Sequence, residues 1–75
     1  MSKTPLAVSI GKAVRRRREA VGISQEAFAD SIGMHRTQFG AIEQGRKDCR
    51  LSTLMRISTG LGVAMWQLIR DIESA

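Results

Sequence analysis

Four single glycines, Gly22, Gly33, Gly45 and Gly62, cut this chain into pieces about one short helix long. Within the pieces apolar residues recur at spacings of three and four, and no segment alternates with period two. That combination permits helices and leaves nothing from which to build a sheet. The first helix begins near Thr4 and Pro5, with Thr4 as N-cap and Pro5 at the first helical position, where its missing N–H is harmless. It aligns Leu6, Ile10, Ala13, Val14 and Val21 on one face, and Gly22 ends it. Ser24 caps the second helix, whose inward residues are Phe28, Ala29 and Ile32. Ala27 stands where an acid would complete a capping box. Gly33 stops this helix, at a position where left-handed backbone is cheap only for glycine. The third helix covers about 35–44 and stops at Gly45. After the polar connection "RKDCR", the fourth carries Leu51, Leu54, Ile57, Ser58 and Leu61 in one stripe and closes at Gly62. The last, about 64–73, buries Met65, Leu68, Ile69 and Ile72. The expected fold is all-α: a compact five-helix domain comprising residues 1–75.

A core of this size is marginal by itself, and small domains commonly add a disulfide, a metal or a second subunit. One cysteine, Cys49, excludes an internal disulfide, and with one histidine, His35, it makes too poor a ligand set for tetrahedral zinc. Oligomerisation is the remaining route, and no metal or cofactor is expected. The lone thiol fits a reducing compartment. "MSKTPLAVSIGK" lacks a signal-peptide core and no apolar run approaches a membrane span, so the expected location is cytoplasmic. Net charge is +5, and nine of the twelve basic residues are arginine, the side chain suited to phosphates and guanine edges.

The third helix departs from the usual surface pattern of acid–base pairs. Phe39 and Ile42 mark its buried side, with Met34 just before it adding to the same core. The opposite arc holds Arg36, Thr37, Gly40, Ala41 and Gln44 and contains no carboxylate; the helix's one acid, Glu43, falls toward the inside. A slim face, neutral to basic and rich in donors, meets the requirements of the major groove of double-stranded DNA. Arg36 is placed to bind guanine O6 and N7, Thr37 to reach a phosphate or base edge, Ala41 to touch a thymine methyl, and Gln44 to bind adenine or phosphate. An unpaired carboxylate at the position of Glu43 would be costly.

The stretch "GISQEAFADSIGMHRTQFGAIEQGR" resembles the helix-turn-helix of the phage repressor and Cro-like family, also called XRE-like regulators. The likeness extends over about 10–69. It rests on Arg18, "GISQ", the Ala29–Gly33 spacing, the series from Arg36 to Arg46, and the leucine-rich pattern over 51–63. It implies a lambda-repressor-like fold with the motif at about 24–44, 24–32 as its first helix and 35–44 as the recognition helix. It further implies a phosphate contact for Gln25, backbone clamps at Arg46, Lys47 and Arg50, and a partly buried ion pair between Arg18 and Glu43. His35 and Gln38 join the phosphate-contacting candidates. His35 departs from the Ser or Thr that the family favours as N-cap, so that helix end is looser or His35 itself reaches a phosphate. Gly40 and Ala41 are smaller than the residues common in the family, which shifts the burden of specificity to Arg36, Thr37 and DNA shape. Arg17 lies in the apolar arc of the first helix, with its stem laid over the core.

"RRRR" at 15–18 is not a basic patch, since four consecutive helical residues point in four directions. Arg15 and Arg16 face outward, and Arg17 and Arg18 turn in. Trp66 lies about a quarter turn off the apolar face of the last helix. It either packs on the fourth helix and stacks with Arg70 or supplies a subunit contact. With Trp66, Ile69, Arg70 and Ile72 as interface candidates, a homodimer would place two modules on a pseudo-palindrome. The expected function is a sequence-specific transcriptional regulator, and the bare-domain length with "HRTQF" looks most like the controller proteins of restriction–modification operons. An antitoxin that masks a toxin and regulates its own operon is the alternative. An enzyme fails on inventory, with no paired acids and no phosphate-binding glycine loop. Neither a membrane nor a small-molecule ligand is expected.

Overall fold

The computed structural model describes residues 4–75, and among them the chain forms five helices and no strand. These are α1 (Pro5–Val21), α2 (Gln25–Ser31), α3 (Arg36–Glu43), α4 (Leu51–Leu61) and α5 (Met65–Ser74). The start signals act as their chemistry dictates. Thr4 accepts a hydrogen bond from the Ala7 amide at 3.1 Å, and Ser24 accepts one from Ala27 at 3.1 Å. At the start of α5 the Gln67 side chain accepts from the Ala64 amide at 2.9 Å, which is half of a capping box. Gly33 has φ +66°, the left-handed conformation that lets the chain leave α2 and enter α3 within one tight turn. That turn is further tied by Arg56 of α4, whose guanidinium donates to the carbonyls of Ile32 at 2.7 Å and Gly33 at 3.1 Å. Those are carbonyls that the end of α2 leaves without helical partners.

The core is a single cluster. Val14, Phe28, Phe39, Ile42, Ile57 and Leu68 are its largest fully buried side chains, with Phe28 and Phe39 tilted against each other at 5.1 Å between ring centroids. Helix α1 lies against α3 and α5, α2 against α3, and α4 against α5 and α1. This leaves α2 and α3 side by side at one edge, braced from behind by α1.

Three residues assigned to the core stripes are solvent-facing: Leu6, Val21 and Leu51, each more than half exposed. All three sit in the first or last turn of a helix. There the apolar stripe runs past the end of its packing partner. Ile32, Met65 and Ile69 are only partly covered, Ile32 because it is the C-cap of α2 rather than part of its helical face. His35 and Gln44 are the caps of α3 and not its terminal turns, and His35 makes no side-chain capping bond.

Candidate nucleic-acid interface

Helix α3 is held from its inner side by a buried polar cluster. Arg18 of α1 donates from Nε to Glu43 Oε2 at 2.6 Å and from Nη2 to Oε1 at 3.0 Å, a two-pronged pair whose carboxylate side chain is only 3% exposed. The Arg18 Nη1 also donates to the Ile23 carbonyl at 2.9 Å. Gln25, the first residue of α2, donates from Nε2 to Glu43 Oε1 at 2.9 Å. One carboxylate therefore links α1, α2 and α3, and its hydrogen bonds hold the Arg18 guanidinium above its ordinary pKa. Every buried side-chain nitrogen and oxygen among the described residues has a partner.

Seen from this anchor, the outward side of α3 carries Arg36, Thr37 and, past the helix end, Gln44, all exposed, with Ala41 half-buried between them. Gly40 is different: it is buried, and a Cβ there would meet Gln25 Oε1 at 3.3 Å. Its place among the base-contacting candidates is corrected on that ground, because it is the close-approach point of α2 and α3. Gln38 is half-buried and lines a groove with Lys47, Cys49 and Arg50, between α3 and the start of α4. Arg46, Lys47 and Arg50 are exposed along the connection that follows α3, and His35 is exposed at its other end. Candidate phosphate contacts thus flank the candidate base contacts on both sides. Gln25 donates to Glu43, so part of its hydrogen-bonding capacity is already spent inward. The Cys49 thiol lies half-buried against the core, and burial together with the nearby Asp48 raises its pKa.

Two polar contacts were not visible as patterns in the sequence. Arg17 pairs with Asp71 of α5, donating from Nε at 2.5 Å and from Nη2 at 3.3 Å, so its head is engaged in an ion pair and its stem does not simply overlie the core. Arg36 pairs with Asp30 of α2 at 2.9 Å, and the Asp30 carboxyl lies below its usual pKa because of that hydrogen bond. Arg15, at the head of the arginine run, pairs with Glu19 one turn along and Arg16 is exposed.

On α5, Trp66 is 63% exposed and carries the Arg70 guanidinium 5.3 Å from its ring centre. Ile69 is 37% exposed beside them. Ile72 is buried at 6% within the monomer core, which removes it from the subunit-contact candidates. The helical period put it on the same face as Ile69, but that face is divided between the core and the solvent.

A family model described as a helix-turn-helix domain matches residues 9–65. The chain belongs to the helix-turn-helix family. The control protein C.MunI of a Mycoplasma species is 42% identical over 57 residues, covering 76% of this chain and 77% of the relative. Among solved structures, the restriction-modification controller protein C.AhdI from Aeromonas hydrophila superposes with a TM-score of 0.79 at 31% identity. That match covers 83% of this chain and 94% of C.AhdI. The controller protein C.Esp1396I, solved as a tetramer with its natural 35 base-pair operator, matches at a TM-score of 0.79 and 25% identity, covering 91% and 95%. The matched stretch takes in α2, the tight turn at Gly33 and α3.

Proposed function

We propose that this chain is a sequence-specific DNA-binding regulator of transcription of the controller type, working as a homodimer in the cytoplasm. The observation that carries the reading is the exposed, carboxylate-free surface of α3, held in place from behind by the Arg18–Glu43 pair and flanked by Arg46, Lys47 and Arg50. Such a surface enters the major groove without repelling phosphates, while the flanking cations neutralise the backbone and set register. In this proposal Arg36, Thr37, Ala41 and Gln44 face base edges. His35, Gln38, Gln25 and the three loop cations face phosphates. The compared relatives are named as control proteins, which supports regulation rather than catalysis and favours the controller type over an antitoxin.

The test is selection from a randomised duplex pool, followed by binding at two salt concentrations. A two-fold symmetric sequence is expected to emerge, with affinity that falls steeply as salt rises. Arg36→Ala is expected to weaken the preference at one base pair of each half-site by about 5- to 100-fold. Equal binding to all duplexes would demote the protein to a nonspecific DNA coat.

The dimer contact is proposed at Trp66, Ile69 and Arg70. Truncating a central aromatic contact in an interface costs about 2 kcal/mol or more, which is roughly a 30-fold weaker dimer. Trp66→Ser is expected to produce that loss in sedimentation equilibrium. The monomer's far-ultraviolet spectrum should not change, because the side chain contributes little to the core. A dimer constant that does not move would assign the contact to another surface.

A further inference from the structure

We infer that Asp30 is a positioning residue for Arg36, fixing its guanidinium so that one particular edge is offered to a base. The inference rests on α3 being the recognition helix and adds to that reading a residue from the neighbouring helix.

The two side chains come together because Arg36 is not on the centre line of the outward arc. It lies on the flank that turns toward α2, the same flank on which Gly40 is buried under Gln25. Asp30, one residue before the end of α2, faces it across the turn. Arg36 donates from Nε to Oδ1 at 3.4 Å and from Nη2 to Oδ2 at 2.9 Å. This is a side-on pairing. It occupies the Nε–H and one N–H of Nη2 and leaves the end-on edge, formed by Nη1 and the second N–H of Nη2, without a partner among the described residues. The unoccupied edge has the two parallel donors that match guanine O6 and N7. Asp30 and Arg36, with Met34, His35 and Thr37, border an open hollow of about 510 Å³.

Stability does not account for the pair. Both side chains are more than half exposed, at 62% and 57%, and ion pairs at that exposure contribute little. The acid also sits at the C-terminal end of a helix, where the backbone dipole disfavours negative charge, and beside a surface meant for phosphates. A carboxylate there lowers nonspecific DNA affinity. What it supplies in return is a fixed orientation for a long side chain that otherwise has to be ordered on binding.

These opposed effects give the experiment its signature. Asp30→Ala, Arg36→Ala and the double variant of the full chain are titrated with the duplex selected from the randomised pool, with its single-base-pair variants and with a random-sequence duplex. Asp30→Ala is expected to lose about three- to tenfold in discrimination at the base pair that Arg36→Ala also ceases to read, the scale of ordering one flexible side chain. It should bind the random duplex as well as the parent or better, with an unchanged melting temperature. The double variant should discriminate no worse than Arg36→Ala alone. If Asp30→Ala instead tightens selected and random duplexes by the same factor and leaves every base preference intact, Asp30 is only a competing charge and the inference is overturned. If Arg36→Ala itself leaves all base preferences unchanged, the reading of α3 fails and the inference goes with it; that result is distinguishable because it appears in the Arg36 variant.

Discussion

Replacing Glu43 by alanine is expected to lower the melting temperature by more than about 10 °C, the larger part of the stability of a domain this small. The carboxylate is 3% exposed and the Arg18 side chain 11%, so the variant leaves a guanidinium facing a void that water reaches poorly. Breaking one side of a buried pair typically costs about 3–5 kcal/mol, most of it the uncompensated partner charge. Two further losses compound it here. Gln25 Nε2 is deprived of its acceptor, and the tie among α1, α2 and α3 is cut at its centre. Glu19→Ala, which removes the partner of Arg15 on the open face of α1, is the matched control and should shift stability by less than about 1 kcal/mol. The cause can be separated from the effect with a double replacement. Arg18→Met with Glu43→Leu removes both charges, keeps volume, and is expected to recover part of the stability, because an apolar pair avoids the desolvation cost of the two charges while Gln25 and the Ile23 carbonyl still lose a partner. A Glu43→Ala protein that melts with its parent would mean that the carboxylate is hydrated in solution and that α3 is held by apolar packing alone.

The all-α architecture and the inner side of α3 were legible in the sequence because both depend on local rules. Helical period put Phe39 and Ile42 inside and left Arg36, Thr37 and Gln44 out, and the four glycines marked the helix ends. What local rules miss is the third dimension of a neighbour. Gly40 reads as part of an open arc on an isolated helix; only the arrival of α2, with Gln25 lying across it, makes it buried. Ile72 and Ile69 share a face by period, yet the core covers one and leaves the other partly in solvent. Leu6, Val21 and Leu51 continue their stripes into terminal turns that have no partner to pack on. The pairs Arg17–Asp71 and Arg36–Asp30 join different helices, and a helical wheel, which compares a helix only with itself, has no means of finding them. Arg56 was likewise silent, being one exposed cation until the end of α2 presents its carbonyls.

Gly11→Ala makes the sharpest use of that distinction, because local and tertiary physics predict opposite signs. Gly11 is in the interior of α1, where alanine is the better helix former by about 1 kcal/mol. On an isolated helix the substitution would stabilise. In this fold α1 crosses the last turn of α3 at that residue, and a Cβ on Gly11 would lie 2.4 Å from the Glu43 carbonyl oxygen and 2.6 Å from that of Ile42. Both obstacles are backbone, so no side chain can rotate away, and the helices must separate or tilt. Overpacking a core commonly costs about 1–3 kcal/mol even when flexible side chains absorb it. A loss of at least about 3 kcal/mol is therefore expected, against a change within roughly 0.5 kcal/mol for Lys12→Ala on the exposed side of the same helix. Greater stability for Gly11→Ala would show that α1 and α3 stand further apart than this packing requires. The displacement also has a direction: pushing the Glu43 backbone away from α1 draws its carboxylate from Arg18. Gly11→Ala and Glu43→Ala consequently act on one contact, and the double variant should lose less than the sum of the two single losses.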